Sequence, residues 1–195
     1  MLGKYGAKES DSGSSPVAVE AKQKAPAAGG RCGWKVHFSP AGGCTAAVVS
    51  ALEGAKREVR VQAYSFTSAP IASALRAAHK RGVDVQVILD EAQRGDKYSA
   101  ADFLARSGIP TWIDARPGLQ HNKVIVIDAA WVITGSFNFT RAAEERNREN
   151  LLVLEDPQLA AAYADNWERD RAACEAYDAR NQAGPTGVRG PDVGW

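Results

Sequence analysis

His121-Asn122-Lys123-Val124-Ile125-Val126-Ile127-Asp128-Ala129-Ala130-Trp131-Val132-Ile133-Thr134-Gly135-Ser136-Phe137-Asn138 reads as two strands joined by a tight turn. The apolar run Val124–Ile127 does not alternate with polar residues, the pattern of a strand covered on both faces. Strand side chains alternate, so His121 and Lys123 project to one face and share a rigid base. A turn at Asp128–Ala130 returns the chain as the Trp131–Thr134 strand. Its far end, Gly135-Ser136-Phe137-Asn138, is thereby expected beside His121. Gly135 permits a close backbone approach, and Ser136 and Asn138 supply neutral donors. An imidazole, an ammonium, an amide and a hydroxyl then converge, a set that suits a phosphate ester: charge and donors for its oxygens, and a ring nitrogen to attack or protonate.

Outward from this run, strands alternate with helices. Trp34–Phe38, Glu58–Phe66, Val83–Leu89 and Leu151–Leu154 read as strands. Thr45–Lys56 reads as a helix with Val48, Val49 and Leu52 on one face. Ser68 can cap the next helix, which carries Pro70 early, the stripe Ile71/Leu75, Lys80 and Arg81 in its last turn and Gly82 as its stop. Ser99–Ser107 is a helix ended by Gly108 and Pro110. Pro157–Tyr177 reads as one long helix whose Leu159/Tyr163/Trp167 stripe is core packing. The expectation is an α/β domain with a mixed, largely buried sheet flanked by helices.

Residues 32–178 form the expected domain. Residues 1–31, rich in Gly, Ala, Ser, Pro and Lys, read as a disordered leader without the apolar core of a signal peptide, and 179–195 as a flexible tail. The 195 residues carry 24 basic and 23 acidic groups, a net charge of +1, which excludes a histone-like protein but not a nucleic-acid enzyme with a local basic patch. No apolar stretch is long enough for a transmembrane helix, and stable membrane insertion is not expected. Three cysteines are too few for a disulfide framework: Cys32 and Cys44 could pair in an exported protein, and three free thiols are the alternative. Asp90, Glu91 and Asp96 read as a polar loop rather than a cation site.

The run matches H-x-K-x4-D-x6-G-S-x-N at every fixed position, and so resembles the phospholipase D superfamily. Ala63-Tyr64-Ser65-Phe66-Thr67, Lys80-Arg81-Gly82-Val83-Asp84-Val85, Ser107-Gly108-Ile109-Pro110 and Gly135-Ser136-Phe137-Asn138-Phe139-Thr140 are similar to segments of its small single-motif bacterial Nuc-type endonucleases. The resemblance runs over roughly residues 34–175. It implies His121 as nucleophile through a phosphohistidine, Lys123 and Asn138 on the phosphate oxygens, Ser136 in the same pocket, Asp128 as a structural residue, and Glu149 as the carboxylate that orients the histidine. It implies no metal and no cofactor.

The bland alternatives are a hydrogen-bonded structural His121, a solvent-facing Lys123, and ordinary turn residues at Ser136 and Asn138. The complete motif favours the site. The charged run Arg141–Arg148 reads as solvated surface. The superfamily chemistry needs two histidines and this chain carries the motif once. His37 and His79 have neither the lysine nor the GSxN partner. Members of this kind join as homodimers about a twofold axis, so that two copies of His121 face one phosphate in opposite protonation states. The expected activity is metal-independent, non-specific cleavage of DNA, with RNA as a further substrate. Arg60, Lys80, Arg81, Arg94 and Lys97 are candidate backbone contacts. A phospholipase D-type lipid hydrolase and a non-catalytic DNA-binding member are the alternatives. The family likeness tilts the compartment toward export.

Overall fold

The computed structural model describes residues 33–179. The leader, the tail from residue 180 onward and Cys32 lie outside the described residues. Eight strands form one mixed sheet: β1 (Gly33–Ser39), β2 (Glu58–Ala63), β3 (Asp84–Asp90), β4 (Thr111–Asp114), β5 (Lys123–Ile127), β6 (Trp131–Gly135), β7 (Glu149–Glu155) and β8 (Glu175–Ala176), in the order β1-β7-β6-β5-β2-β3-β4-β8. Only β2–β3 and β3–β4 pair in parallel. Both pairs are joined through helical crossovers, as parallel neighbours require.

The helices α1 (Cys44–Gly54), α2 (Ala69–Lys80) and α3 (Ala101–Arg106) cover one face of the sheet. Val48 and Leu52 of α1, and Ile71 and Leu75 of α2, are fully buried there against Val59, Val61, Ile125 and Ile133. The helix α5 (Pro157–Arg171) covers the other face, where Val124, Val126 and Val132 meet Leu159 and Tyr163. Asp156 starts α5 by accepting the N–H groups of Gln158 and Leu159, and Pro157 has no N–H to satisfy. Trp167, 1% exposed, donates its indole N–H to the Val61 carbonyl. Both faces of β5 are thus covered, which explains its unbroken apolar run.

The structure departs from the sequence expectations in four places. The last helix stops at Arg171. The chain then turns and lays Glu175–Ala176 beside β4, where the Tyr177 N–H bonds the Thr111 carbonyl and its hydroxyl donates to Asp102. The strand expected over Glu58–Phe66 ends at Ala63, because Tyr64 N–H turns to the Asn122 carbonyl and Phe66 N–H to the buried Gln93 side chain. Thr111–Asp114 and the short helix α4 (Arg141–Glu145) had no legible periodicity. Ser68 occupies the N-cap of α2 without a side-chain capping bond. Cys44 is free and fully buried, and its burial, with Glu144 nearby, pushes the thiol up to about 12.

Candidate active site at the sheet end

Parallel strands β2, β3 and β4 end on the same side of the molecule, and β5 begins there. Clefts beyond the carboxyl ends of parallel strands are the usual ligand sites of such sheets. Lys123 opens β5 opposite Ala63, the last residue of β2. His121 precedes it by two residues in an irregular segment. Tyr64 N–H bonds the Asn122 carbonyl at 3.0 Å and ties that segment to the end of β2.

His121 is exposed, and its imidazole lies against the Tyr64 ring, with centroids 4.6 Å apart and planes tilted by 55°. Lys123 is 7% exposed. Its ammonium donates to the His121 carbonyl at 2.7 Å and sits 5.0 Å from the centre of the same Tyr64 ring. Burial pulls the Lys123 pKa below the ordinary lysine value, and the nearby Glu149 carboxylate opposes part of that fall.

The Gly135–Thr140 segment arrives from β6. Gly135 has φ +147, and a Cβ there would stand 2.3 Å from the Asn150 carbonyl oxygen, so only glycine fits. That carbonyl accepts both Ser136 N–H and Phe137 N–H. Phe137 and Phe139 are fully buried, and Phe139 packs edge-on to Phe66 at 5.6 Å. Alternation with these anchors leaves Ser136 exposed and Asn138 only partly buried. The Asn138 Oδ1 is buried with no hydrogen-bond partner among the described residues.

Glu149 accepts from the Ser136 hydroxyl at 2.6 Å and from the Asn147 amide at 3.0 Å. The resemblance implies Glu149 as the carboxylate that orients the histidine; in the structure its oxygens accept from Ser136 and Asn147. Asp128 lies at the other end of β5, about 17 Å of strand from Lys123. Its carboxylate accepts the backbone N–H groups of Lys56, Arg57 and Glu58. Burial works against its ionisation, but the three donors and the Arg57 charge prevail and hold the carboxyl below its usual range.

The candidate backbone-contact residues divide. Arg60 is locked at the far end of β2 against Asp84, Glu58 and the Trp167 ring. Arg81 caps the end of α1 by donating to the Leu52, Glu53 and Ala55 carbonyls. Lys80 ends α2, about 18 Å of helix from its start. Helix and strand direction place these three toward the end of the sheet away from His121. Arg94 is at the right end but is paired with Glu91 and Glu175. Lys97 is exposed in the same loop, its ammonium over the Tyr98 ring. Sequence reasoning passed over Arg146 and Arg148. Both are exposed, stand just before Glu149 and form no ion pair among the described residues. The proximity of Arg148 to Glu149 in the chain was the available signal. Tyr64, whose ring touches both His121 and Lys123, was quoted without a role.

Among the described residues no group of three His, Cys, Asp or Glu side chains could hold a metal ion, and no helix is long and apolar enough to cross a membrane.

Residues 48–171 match the family model described as cardiolipin synthase, PLD-like domain. A protein of Rickettsia felis named phospholipase D is 43% identical over 136 residues, 70% of this chain and 68% of that protein. A Xenopus laevis protein named mitochondrial cardiolipin hydrolase is 35% identical over 127 residues, 65% of this chain and 59% of its own length. Among solved structures, Nuc of Salmonella typhimurium, described as a phospholipase D family member, superposes with TM-score 0.73 at 41% identity over 75% of this chain and 99% of Nuc. NucT of Helicobacter pylori shares the fold at TM-score 0.70 and 24% identity, over 75% of this chain and all of NucT. With the fold, the converging side chains and these likenesses in agreement, the chain belongs to the phospholipase D superfamily, hydrolases of phosphodiester bonds.

Proposed function

We propose that the protein is a metal-independent endonuclease that cleaves DNA, and RNA as a further substrate, through a phosphohistidine at a site shared by two copies of the chain. The observation that carries the reading is one exposed imidazole and one buried ammonium held against the same Tyr64 ring, the ammonium bonded to the carbonyl of His121 itself. In this scheme a ring nitrogen of His121 attacks phosphorus. The N–P bond forms and one P–O ester bond breaks, while His121 of the second copy protonates the departing oxygen. Water then attacks phosphorus and gives its proton to that second imidazole, and the N–P bond breaks. Lys123 and Asn138 hold the non-bridging oxygens, with Ser136 and Glu149 supporting the pocket. The identity to Nuc and the exposed cations Lys97, Arg146 and Arg148 at this end of the sheet support a nucleic-acid substrate.

The test is nicking of supercoiled plasmid in excess chelator. Wild type nicks and His121→Ala does not; loss of activity on adding EDTA sinks the metal-independent scheme. At the same total protein, a reassembled equal mixture of wild type and His121→Ala should show about a quarter of the activity of pure wild type if two histidines serve one site. Retention of half means that each chain works alone.

A second reading, a phospholipase D-type lipid hydrolase, is favoured by one feature. Phe38, Tyr98 and Leu119, three exposed large apolar side chains, stand at the same end of the sheet as His121, where a lipid surface could receive them. Head-group release from mixed vesicles, run beside the plasmid assay, separates the two.

A further inference from the structure

His121 lies at the end of an irregular segment, residues 115–122, that leaves β4 and enters β5. A nucleophile on such a segment needs its backbone held from outside. The anchor comes from Asp90, the last residue of β3 and 2% exposed. Its Oδ2 accepts the N–H of Gln120, the residue immediately before His121, at 2.8 Å. Its Oδ1 accepts the N–H of Ala92 at 3.0 Å, at the start of the 3-10 turn Glu91–Gln93. Both oxygens thus accept from backbone donors, one two residues and the other thirty residues along the chain.

We propose that Asp90 is a positioning residue for His121. The proposal rests on the nucleophile reading above and extends it to a carboxylate outside the motif. Gln120, 7% exposed, completes the brace with its side chain, accepting from the Asn122 amide at 2.7 Å and donating to Asp114 at a longer 3.3 Å. Asp114 is in turn held by Arg116, whose guanidinium also reaches Asp170 on α5. The residues on either side of His121 are therefore tied to β3 and β4 before β5 begins, and the imidazole stays free to face a substrate.

Chemistry explains why a carboxylate stands at position 90. Two N–H donors, the buried one of Gln120 and the half-buried one of Ala92, bond separate oxygens of it, and a carboxylate supplies both acceptors. In Asp90→Asn one N–H would face an NH2 group; in Asp90→Ala both would be orphaned, and residue 120 would hang from the long Gln120–Asp114 contact. A drift of about 1 Å in the reacting atom costs about a hundredfold in rate.

The experiment uses the full chain and a small chromogenic diester, bis(4-nitrophenyl) phosphate, in excess chelator. Asp90→Ala is expected to lower kcat about a hundredfold with KM within about twofold, and Asp90→Asn to fall between it and wild type. Amide exchange followed by NMR is the second readout. The Gln120 amide should be protected in wild type and exchange at least tenfold faster in both variants, while the amides of Val61 and Ile125 keep their protection. A folded Asp90→Ala with wild-type kcat overturns the proposal. So does a Gln120 amide that exchanges at an open-loop rate in wild type, a result that needs no variant to fold. Failure of the nucleophile reading gives a different signature: His121→Ala would remain active, while the Gln120 exchange data stand unchanged.

Discussion

The Tyr64 ring packs against the His121 imidazole with centroids 4.6 Å apart, and the same ring lies 5.0 Å from the Lys123 ammonium. One aromatic side chain at the end of β2 therefore contacts both candidate catalytic groups where the chain enters β5. The ring restricts the imidazole sterically and offers its face to the buried cation, an interaction of about 1–2 kcal/mol when partly desolvated.

Tyr64→Leu is expected to lower kcat about tenfold. Tyr64→Phe should stay within about twofold of wild type, since the hydroxyl makes no hydrogen bond among the described residues while the ring makes both contacts. Steady-state rates on a small diester check this. A Tyr64→Leu variant as active as wild type would remove the ring from the mechanism.

Lys123 is held in the fold against its own solvation. Burial lowers its pKa, so below the folded-state value the folded chain carries the cost of desolvating the ammonium. As pH rises from the folded-state value toward about 10.4, the unfolded value, that penalty disappears. Lys123→Met should abolish phosphodiester cleavage yet raise Tm by about 2–4 °C at pH 7. The gap between the two melting curves should narrow as pH approaches 10. A lower Tm for the variant would mean that the His121 carbonyl and the Tyr64 ring outweigh the desolvation.

Asp128 behaves in the opposite sense. Burial opposes its ionisation, but the backbone donors of Glu58, Arg57 and Lys56 prevail and keep its folded-state pKa below the unfolded value of about 3.9. Its contribution is fully present above that unfolded value and is lost as pH falls through the folded one. Asp128→Asn should cost about 1–3 kcal/mol at pH 7, and the difference from wild type should vanish in strong acid. Folded protein should keep its kcat, because the carboxylate is at the far end of β5. Urea titrations at several pH values and a rate measurement test both halves.

Arg146 and Arg148 are the exposed arginines beside Glu149 without an ion pair among the described residues. If each contacts one backbone phosphate, Arg146→Ala and Arg148→Ala should each reduce the slope of log K against log salt by about 1. Hydrolysis of a small diester should be unchanged. Arg60→Ala and Arg81→Ala should leave the slope as it is and lower stability, because those guanidinium groups bond Asp84 and the end of α1. DNA-binding isotherms across a salt series decide between the two sets.

Much of the fold was legible because its signals are local. The unbroken Val124–Ile127 run announced a strand covered twice, and α1 and α5 cover it. The Ile71/Leu75 stripe and the Leu159/Tyr163/Trp167 stripe mark helix faces that do pack on the sheet. The strand Thr111–Asp114 is too short for alternation to show, and Glu175–Ala176 becomes a strand only because β4 offers it an open edge. Arg60 and Arg81 looked like surface cations because a sequence gives their charge and not their partners.

The sequence by itself determined the motif, the α/β alternation and the presence of one histidine–lysine pair, since composition and periodicity are local; the expected strand placement of His121 is not met, because β5 begins only at Lys123. Tertiary structure alone decided that Ser136 engages Glu149, that Tyr64 faces His121, and that Asp90 holds the residue before it. Those partners lie 13, 57 and 30 positions apart, and only the order and direction of the strands bring them within bonding distance.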